Sequence, residues 1–313
     1  MYFQKYLEQL RKGRGNPLDI IWCTLRYGAS PNNYYTFDFE NLTAKERSTY
    51  VTNRLSRKLI KKFNDEAFVD LFEDKARFAK RFEKYFKRKW IATKGMSIDS
   101  FFAFVNGMDK FIYKPIGSAQ GQGIIVYENC QDIDTSALHR EILSRNEDAI
   151  LEEWIQQHPF LASVYGDAIN CLRILTVNKN NNIIILAGGI TWGNGKKIAN
   201  ASASGIVSPV DFSTGMITKP AADLSNNVYI QHPITGANLV NIQIPYWNEV
   251  LEMVKSAALE VPEIGYVGWD IGITSSGPVL IEGNTTPGYK YYQIPAHMDN
   301  HCGNRRIYVD CLK

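Results

Sequence analysis

The apolar residues of this chain change period once, close to Trp90, and that change limits the folds open to it. From about Ala44 to Lys89 they recur at three- and four-residue spacings among charges, as in Leu55, Leu59 and Phe63 and again in Phe78, Phe82 and Phe86. Helices with one buried stripe give that pattern. Past Trp90 the runs shorten and become β-like, at Phe111-Ile112-Tyr113, Ile124-Ile125-Val126-Tyr127 and Ala149-Ile150-Leu151, with a helix expected across residues 135–145. Further strands are expected at Leu172-Arg173-Ile174-Leu175-Thr176-Val177, Ile183-Ile184-Ile185-Leu186-Ala187 and Val279-Leu280-Ile281, and a helix from Pro245 to about Leu259. Asn178 to Asn182 is turn-rich and predicts a hairpin. The expected class is α+β with a helical front end. The chain has no internal repeat, low-complexity tract or Pro/Ser linker, so its units are expected to pack together.

Composition and charge exclude several classes. With 45% hydrophobic and 21% charged residues the chain can offset the entropy of ordering, which argues against global disorder. Met1 to Glu8 place charges where a signal peptide keeps an apolar core, and no stretch approaches the ~18 apolar residues of a membrane span. A cytoplasmic location is expected. Five cysteines, at positions 23, 130, 171, 302 and 311, form no CxxC pair, which disfavours a disulfide framework or a zinc ribbon and predicts reduced thiols. His297, His301 and Cys302 suggest a zinc cluster but lack a fourth ligand at suitable spacing. Residues 1–100 hold 21 Lys+Arg against 12 Asp+Glu. Arg54, Arg57, Lys58, Lys61 and Lys62, then Lys80, Arg81, Lys84, Lys87, Arg88 and Lys89, could meet an anionic membrane or an assembly partner, or form solvated helix faces. No nucleic-acid module accompanies them, and nucleic-acid binding is not expected.

Two segments carry chemistry. Lys114-Pro115-Ile116-Gly117-Ser118-Ala119-Gln120-Gly121-Gln122-Gly123 lies between two β-like runs. Glycines there let backbone N–H groups converge on phosphate oxygens, and Lys114 adds a cation. A loop between two strands is not a Rossmann turn, and no GxxxxGK[ST] occurs; a glycine-rich hairpin without ligand is the alternative. The second segment runs from Gly268-Trp269-Asp270 through a Ser-Ser-Gly-Pro turn to Glu282-Gly283-Asn284. A hairpin brings Asp270 alongside Glu282, and period-two alternation turns Glu282 and Asn284 to one face. Such hard oxygen donors suit Mg²⁺ arriving with a nucleotide. A cap for Asp270 and an ion pair for Glu282 are the alternatives.

In order along the chain, Lys75, Lys114 with its loop, Glu152-Glu153-Trp154-Ile155, Arg173, Asn200, Asp270, Glu282 and Asn284 resemble the ATP-grasp superfamily. More narrowly, Glu152 to Pro159, Asn170-Cys171-Leu172-Arg173-Ile174 and Gly268-Trp269-Asp270 look like its sugar-transfer-associated branch, from about residue 70 onward. The resemblance implies two α+β subdomains clasping ATP, with Lys75 and Lys114 on its phosphates alongside Gly117, Ser118, Gly121 and Gly123. It implies a hinge strand of Glu152, Glu153 and Ile155 whose backbone reads adenine, and His158 at the ribose. Arg173 is expected on the γ-phosphate or an acyl phosphate, since a fork of donors between apolar neighbours needs such a partner. Asn170 and Asn200 are expected nearby. Where the branch carries an Asp-Asn pair and a double glycine, this chain has Ala199-Asn200 and Ser204-Gly205, which bears on the substrate side.

The expected organisation is a helical region over 1–90, a glycine-loop lid over 91–155 and a core with the metal site over 156–313. Lys114, Arg173 and Asn200 are expected to be catalytic and Asp270, Glu282 and Asn284 to hold Mg²⁺. The implied reaction is ATP-dependent amide formation through an acyl phosphate in bacterial surface polysaccharide or glycan-precursor modification, from small-molecule or glycan carboxylate and amine substrates. A kinase acting on a hydroxyl, or a non-catalytic partner of a polysaccharide assembly complex, is the alternative. Tyr289, Tyr291, Tyr292 and Trp192 could stack on a sugar, and Gln293 could line an acceptor pocket. Replacing either metal carboxylate is expected to cost turnover with little cost in stability.

Overall fold

The computed structural model describes residues 15–117, 122–131, 133–195 and 205–313. Ser118, Gly121 and Asn200, all expected in the site, lie outside the described residues. Two antiparallel sheets dominate. The smaller, in the order β1-β4-β2-β3, joins β1 (Trp90–Ala92), β2 (Phe111–Pro115), β3 (Ile125–Tyr127) and β4 (Ala149–Glu153). The larger, in the order β10-β9-β7-β6-β5-β12-β13, joins β5 (Cys171–Lys179), β6 (Asn182–Trp192), β7 (Ile206–Pro209), β9 (Ala221–Ala222), β10 (Val228–Tyr229), β12 (Tyr266–Thr274) and β13 (Gly277–Asn284). A two-stranded ribbon pairs β8 (Met216–Ile217) with β11 (Ile242–Gln243).

The expected β5–β6 hairpin turns on Asn180 and Asn181, both at positive φ (55° and 63°), the conformation that matches the twist of a two-residue hairpin and that Asn tolerates. The helix expected from Pro245 spans Trp247–Ala257, and that expected over 135–145 spans Thr135–Ser144.

Side chains of the larger sheet alternate between two cores. Leu172, Ile174, Trp269 and Ile271 face Phe72, Phe78, Phe82 and the Trp247–Ala257 helix, while Leu175, Val177 and Tyr266 face Tyr34, Phe37, Leu55, Leu59 and Tyr308. The helical front end therefore has no core of its own. Its first part, with helices Pro17–Tyr27 and Asn53–Phe63, covers one face of the sheet, and its second part, with helix Lys75–Arg81, covers the other. The helices Pro17–Tyr27 and Pro31–Thr36 precede Ala44; Asn16 and Ser30 cap them with side-chain acceptors, each followed by Pro at the first helical position.

Nor is the basic front a uniformly solvated face. Arg88 is buried, Arg81 and Lys84 are paired with Glu260, and Lys62 Nζ donates to the Leu312 carbonyl at 2.8 Å.

Candidate active site

Glu282 owes its position to a bulge. In the β12–β13 ladder Asp270 stands opposite Glu282 and Ile271 opposite Leu280, so Ile281 is the extra residue, and the bulge turns Glu282 to the face opposite Leu280. Gly268 pairs with Asn284, and Glu282 and Asn284 share a face because nothing interrupts the alternation between them. Gly283 separates them. A Cβ there would come within 2.9 Å of the Phe72 ring, so only glycine lets the aromatic layer press against the back of this strand.

On the other side Asp270 stands opposite Arg173 in β5. Arg173 Nε and Nη2 each donate to one Asp270 oxygen, a bidentate pair of the kind that fixes both planes. Asn284 Nδ2 reaches Asp270 Oδ2 at 3.4 Å and Glu282 Oε1 at 3.2 Å. Burial pushes the Glu282 carboxyl up from its ordinary range and Asp270 adds to the rise, while Arg173 and Lys114 oppose it. Two carboxylates facing each other beside a side-chain amide, which offers its oxygen once it turns, form a hard donor set that a divalent cation would relieve of its repulsion, so the residues present fit Mg²⁺. Both oxygens of Asp270 already hold Arg173, and the Asn284 amide presents its nitrogen, so cation binding requires the guanidinium to share Asp270 and the amide to turn.

The second half of the site comes from the smaller sheet. Lys114 in β2 donates to Glu152 Oε2 in β4 at 2.8 Å. The same oxygen accepts from Arg88 Nε at 2.9 Å and Nη2 at 2.6 Å. Arg88 and Glu152 are 4% and 3% exposed. Burial alone would push the Glu152 carboxyl up, but Arg88 and then Lys114 outweigh it and hold it below the ordinary range. Arg88 Nη1 also donates to the Leu280 carbonyl at 2.7 Å and the Phe86 carbonyl at 3.0 Å. One guanidinium thus ties the carboxylate that holds Lys114 to the strand that carries Glu282. Among the basic residues of the front end, no period distinguishes Arg88 from its neighbours.

Lys75 opens the Lys75–Arg81 helix, which Asp74 caps through the Ala76 and Arg77 amides. Its Nζ donates to the carbonyls of Pro115 at 2.9 Å and Ile116 at 3.2 Å, at the start of the glycine loop. Burial lowers its pKa, with Glu282 opposing and Lys114 adding to the fall, so Lys75, Lys114 and Glu282 share one electrostatic neighbourhood. Gly123 closes the loop at φ +70°, where a Cβ would meet Pro115 Cγ at 2.9 Å. Gly117 has open space at its Cβ position.

The expected hinge needs correction at Glu152. That residue pairs with Trp90 on one side and Ile112 on the other, so its backbone lies within the sheet and its carboxylate is committed to Arg88 and Lys114. The Glu153 N–H donates to the Lys89 carbonyl at 2.9 Å, and Glu153 Oε2 accepts from the Lys89 N–H at 3.0 Å. Among the described residues no hydrogen bond engages the backbone of Ile155, which lies against Gly272. His158 Nδ1 accepts from the Phe160 N–H at 3.2 Å and caps the following helix.

Other expected residues prove structural. Asn170 is fully buried: its amide donates to Gln157, Leu161 and Tyr165, and its oxygen accepts from the Gly193 N–H. Gln293 does not line a pocket, because it is 1% exposed and saturated by Val51 and Asn304. Trp192 is buried and bonded to Ser208, so it cannot stack on a sugar. Tyr289, Tyr291 and Tyr292 pack in the core. Both His297 ring nitrogens lie against carbonyls, those of Tyr291 and Pro220, so neither is turned toward His301 or Cys302 as a metal ligand would be.

Two further residues border the site: Cys171, not assigned from the sequence, and Tyr292, expected only as a sugar-stacking ring. Cys171, two positions before Arg173 in β5 and so on its face, has its thiol pushed well up by burial and then by Asp270. Tyr292 is held up by burial and lies within the fields of Arg173 and Asp270. It also walls a cavity of about 700 Å³ bordered by Gly188, Lys219 and Asn304. The alternation from Arg173 could have identified Cys171.

Two antiparallel sheets joined through residues 154–170, with Lys114 on one, Lys75 on a helix beside it and an Arg–Asp–Glu–Asn group on the other, define an α+β protein built to bring cations and hard oxygen donors together. The family model for sugar-transfer associated ATP-grasp proteins matches residues 54–299, and the chain belongs to that family. No curated protein matches it. Solved structures of similar fold include an ADP complex of purK, N5-carboxyaminoimidazole ribonucleotide synthetase (10% identity, TM-score 0.45, 71% of this chain and 47% of that one). Others are the ATP-grasp ligase PsnB with a precursor variant, Mg and ADP (14%, 0.48, 86% and 70%) and VanG D-Ala:D-Ser ligase from Enterococcus faecalis (14%, 0.48, 77% and 61%). The chain spans about half the length of the first of these.

Proposed function

We propose that the protein is an Mg-ATP-dependent ligase that activates a carboxylate as an acyl phosphate and transfers it to an amine. The observation that carries this reading is Arg88, which bonds both the Glu152 carboxylate holding Lys114 and the Leu280 carbonyl two residues before Glu282. That link supports a reading in which Lys114 meets phosphate beside a metal held by Asp270 and Glu282.

In this reading the Ile155 backbone reads the adenine edge, with Glu153 beside it and His158 near the ribose. Lys75, Lys114 and the loop of Gly117, Ser118, Gly121 and Gly123 hold the phosphates. Asp270, Glu282 and Asn284 hold Mg²⁺, which supplies charge neutralisation on the transferring phosphoryl group. Arg173, released in part from Asp270, stabilises that group together with Lys114, and Asn200 is assigned to the substrate side. The substrate carboxylate attacks the γ-phosphorus and ADP leaves; the amine then displaces phosphate. The cavity walled by Tyr292 is the candidate entrance for the acceptor. A role in surface polysaccharide or glycan-precursor modification in the cytoplasm is the family-level context of this proposal.

Incubation with Mg-ATP and pooled carboxylates and amines tests it. Release of both ADP and phosphate that depends on a carboxylate–amine pair supports the ligase. A stable phosphorylated hydroxyl product would replace it with the kinase, and no acceptor-stimulated turnover would leave a non-catalytic role.

A further inference from the structure

The Pro17–Tyr27 helix buries Ile20 and Cys23 against the fold and turns a second apolar stripe outward. Leu18, Ile21, Trp22 and Leu25 are 75%, 41%, 56% and 69% exposed, and their i, i+3, i+4, i+7 spacing sets them in one row. The helix has one acid, Asp19, and it faces inward: its oxygens accept from the Tyr34 hydroxyl at 2.7 Å and from Arg47 Nη1 at 2.8 Å. The stripe therefore has no anionic border from its own helix.

Cations border it instead. Exposed Arg26 lies in the last turn of the helix. Exposed Arg54 lies across that end, with Nη2 donating to the Leu25 carbonyl at 2.7 Å and the Thr24 carbonyl at 3.1 Å. Lys58, also exposed, follows one turn along the Asn53–Phe63 helix. An apolar row containing Trp beside cations fits an anionic lipid surface: the side chains enter the acyl boundary, Trp sits at the interface and the cations meet headgroups. A second copy of the chain would bring its own Arg26, Arg54 and Lys58 as further like charges. No described helix is long and apolar enough to cross a membrane.

We infer that Leu18, Ile21, Trp22 and Leu25, flanked by Arg26, Arg54 and Lys58, form a docking face for anionic membrane lipid. Co-sedimentation of the full chain with vesicles of phosphatidylcholine, with and without phosphatidylglycerol, tests it. Binding should be stronger to the anionic vesicles by roughly tenfold or more, should weaken with salt, and should resist competition by inorganic phosphate. The combined Leu18→Ser, Trp22→Ser, Leu25→Ser variant should lose it, and so should Arg26→Glu with Lys58→Glu, each with an unchanged thermal midpoint and unchanged ADP release. Failure of the wild type to co-sediment, or equal binding by both variants, overturns the inference. So does a dimer in solution that the serine variant converts to monomer without any vesicle binding, since a second copy then covers the face. ADP release is read separately, so loss of lipid binding leaves the ligase reading standing.

Discussion

Asp270 stands opposite Arg173 in the β5–β12 ladder, and each of its oxygens takes one arm of the guanidinium. The proposed metal ligand is thus also the counter-ion of the proposed phosphate binder. Removing it leaves a partly buried guanidinium without its carboxylate, so a larger stability cost is expected for Asp270 than the sequence alone suggests. Asp270→Ala should lower stability by about 2–3 kcal/mol in urea denaturation as well as abolish turnover. An unchanged midpoint would show that water replaces Asp270 at no cost.

Glu282 should behave oppositely. Its carboxyl is raised above the ordinary range by burial and by Asp270, so the stability it contributes is complete at acid pH and is lost as pH rises through the raised value. Glu282→Gln should therefore match the wild type in acid and exceed it by about 1 kcal/mol at neutral pH in the absence of Mg²⁺. Turnover should fall by roughly three orders of magnitude or more. Chemical denaturation across pH, read beside ADP release, checks both; normal turnover refutes the assignment.

The two cations on Glu152 should separate in effect. Lys114→Ala should weaken ATP binding by about 1–3 kcal/mol in calorimetry and barely move the thermal midpoint, because Arg88 still neutralises Glu152. Arg88→Ala should cost about 3 kcal/mol of stability, with partial recovery in Arg88→Lys. Equal midpoints for Lys114→Ala and Arg88→Ala would contradict this division.

Cys171 should resist alkylation. Partial burial and the adjacent Asp270 keep it a thiol, whereas Cys302 is exposed. Mass spectrometry after brief iodoacetamide treatment at mildly alkaline pH should find Cys302 modified and Cys171 intact; rapid loss of Cys171 would indicate a site more open than described.

How much of this was readable in the sequence depended on whether the signal was local. The hairpin at Asn180–Asn181, the helix at Trp247–Ala257 and the pairing of Asp270 with Glu282 followed from turn chemistry and alternation. The bulge at Ile281 did not, since an extra residue in a strand leaves no mark in composition. Arg88 was hidden for another reason: a buried cation differs from a solvated one only by partners 64 and 192 residues away. Asn170 and Gln293 misled in the opposite direction, because a polar residue that satisfies buried backbone groups occupies the same place in a motif as one that meets a ligand.

A crystal structure with Mg²⁺ and a non-hydrolysable ATP analogue tests the central claim most directly. The account predicts a triphosphate in contact with Lys114 on one side and joined through metal to Asp270 and Glu282 on the other, with adenine at Ile155. A nucleotide bound elsewhere, or one that meets Lys114 while Glu282 remains turned away from it, would contradict the account.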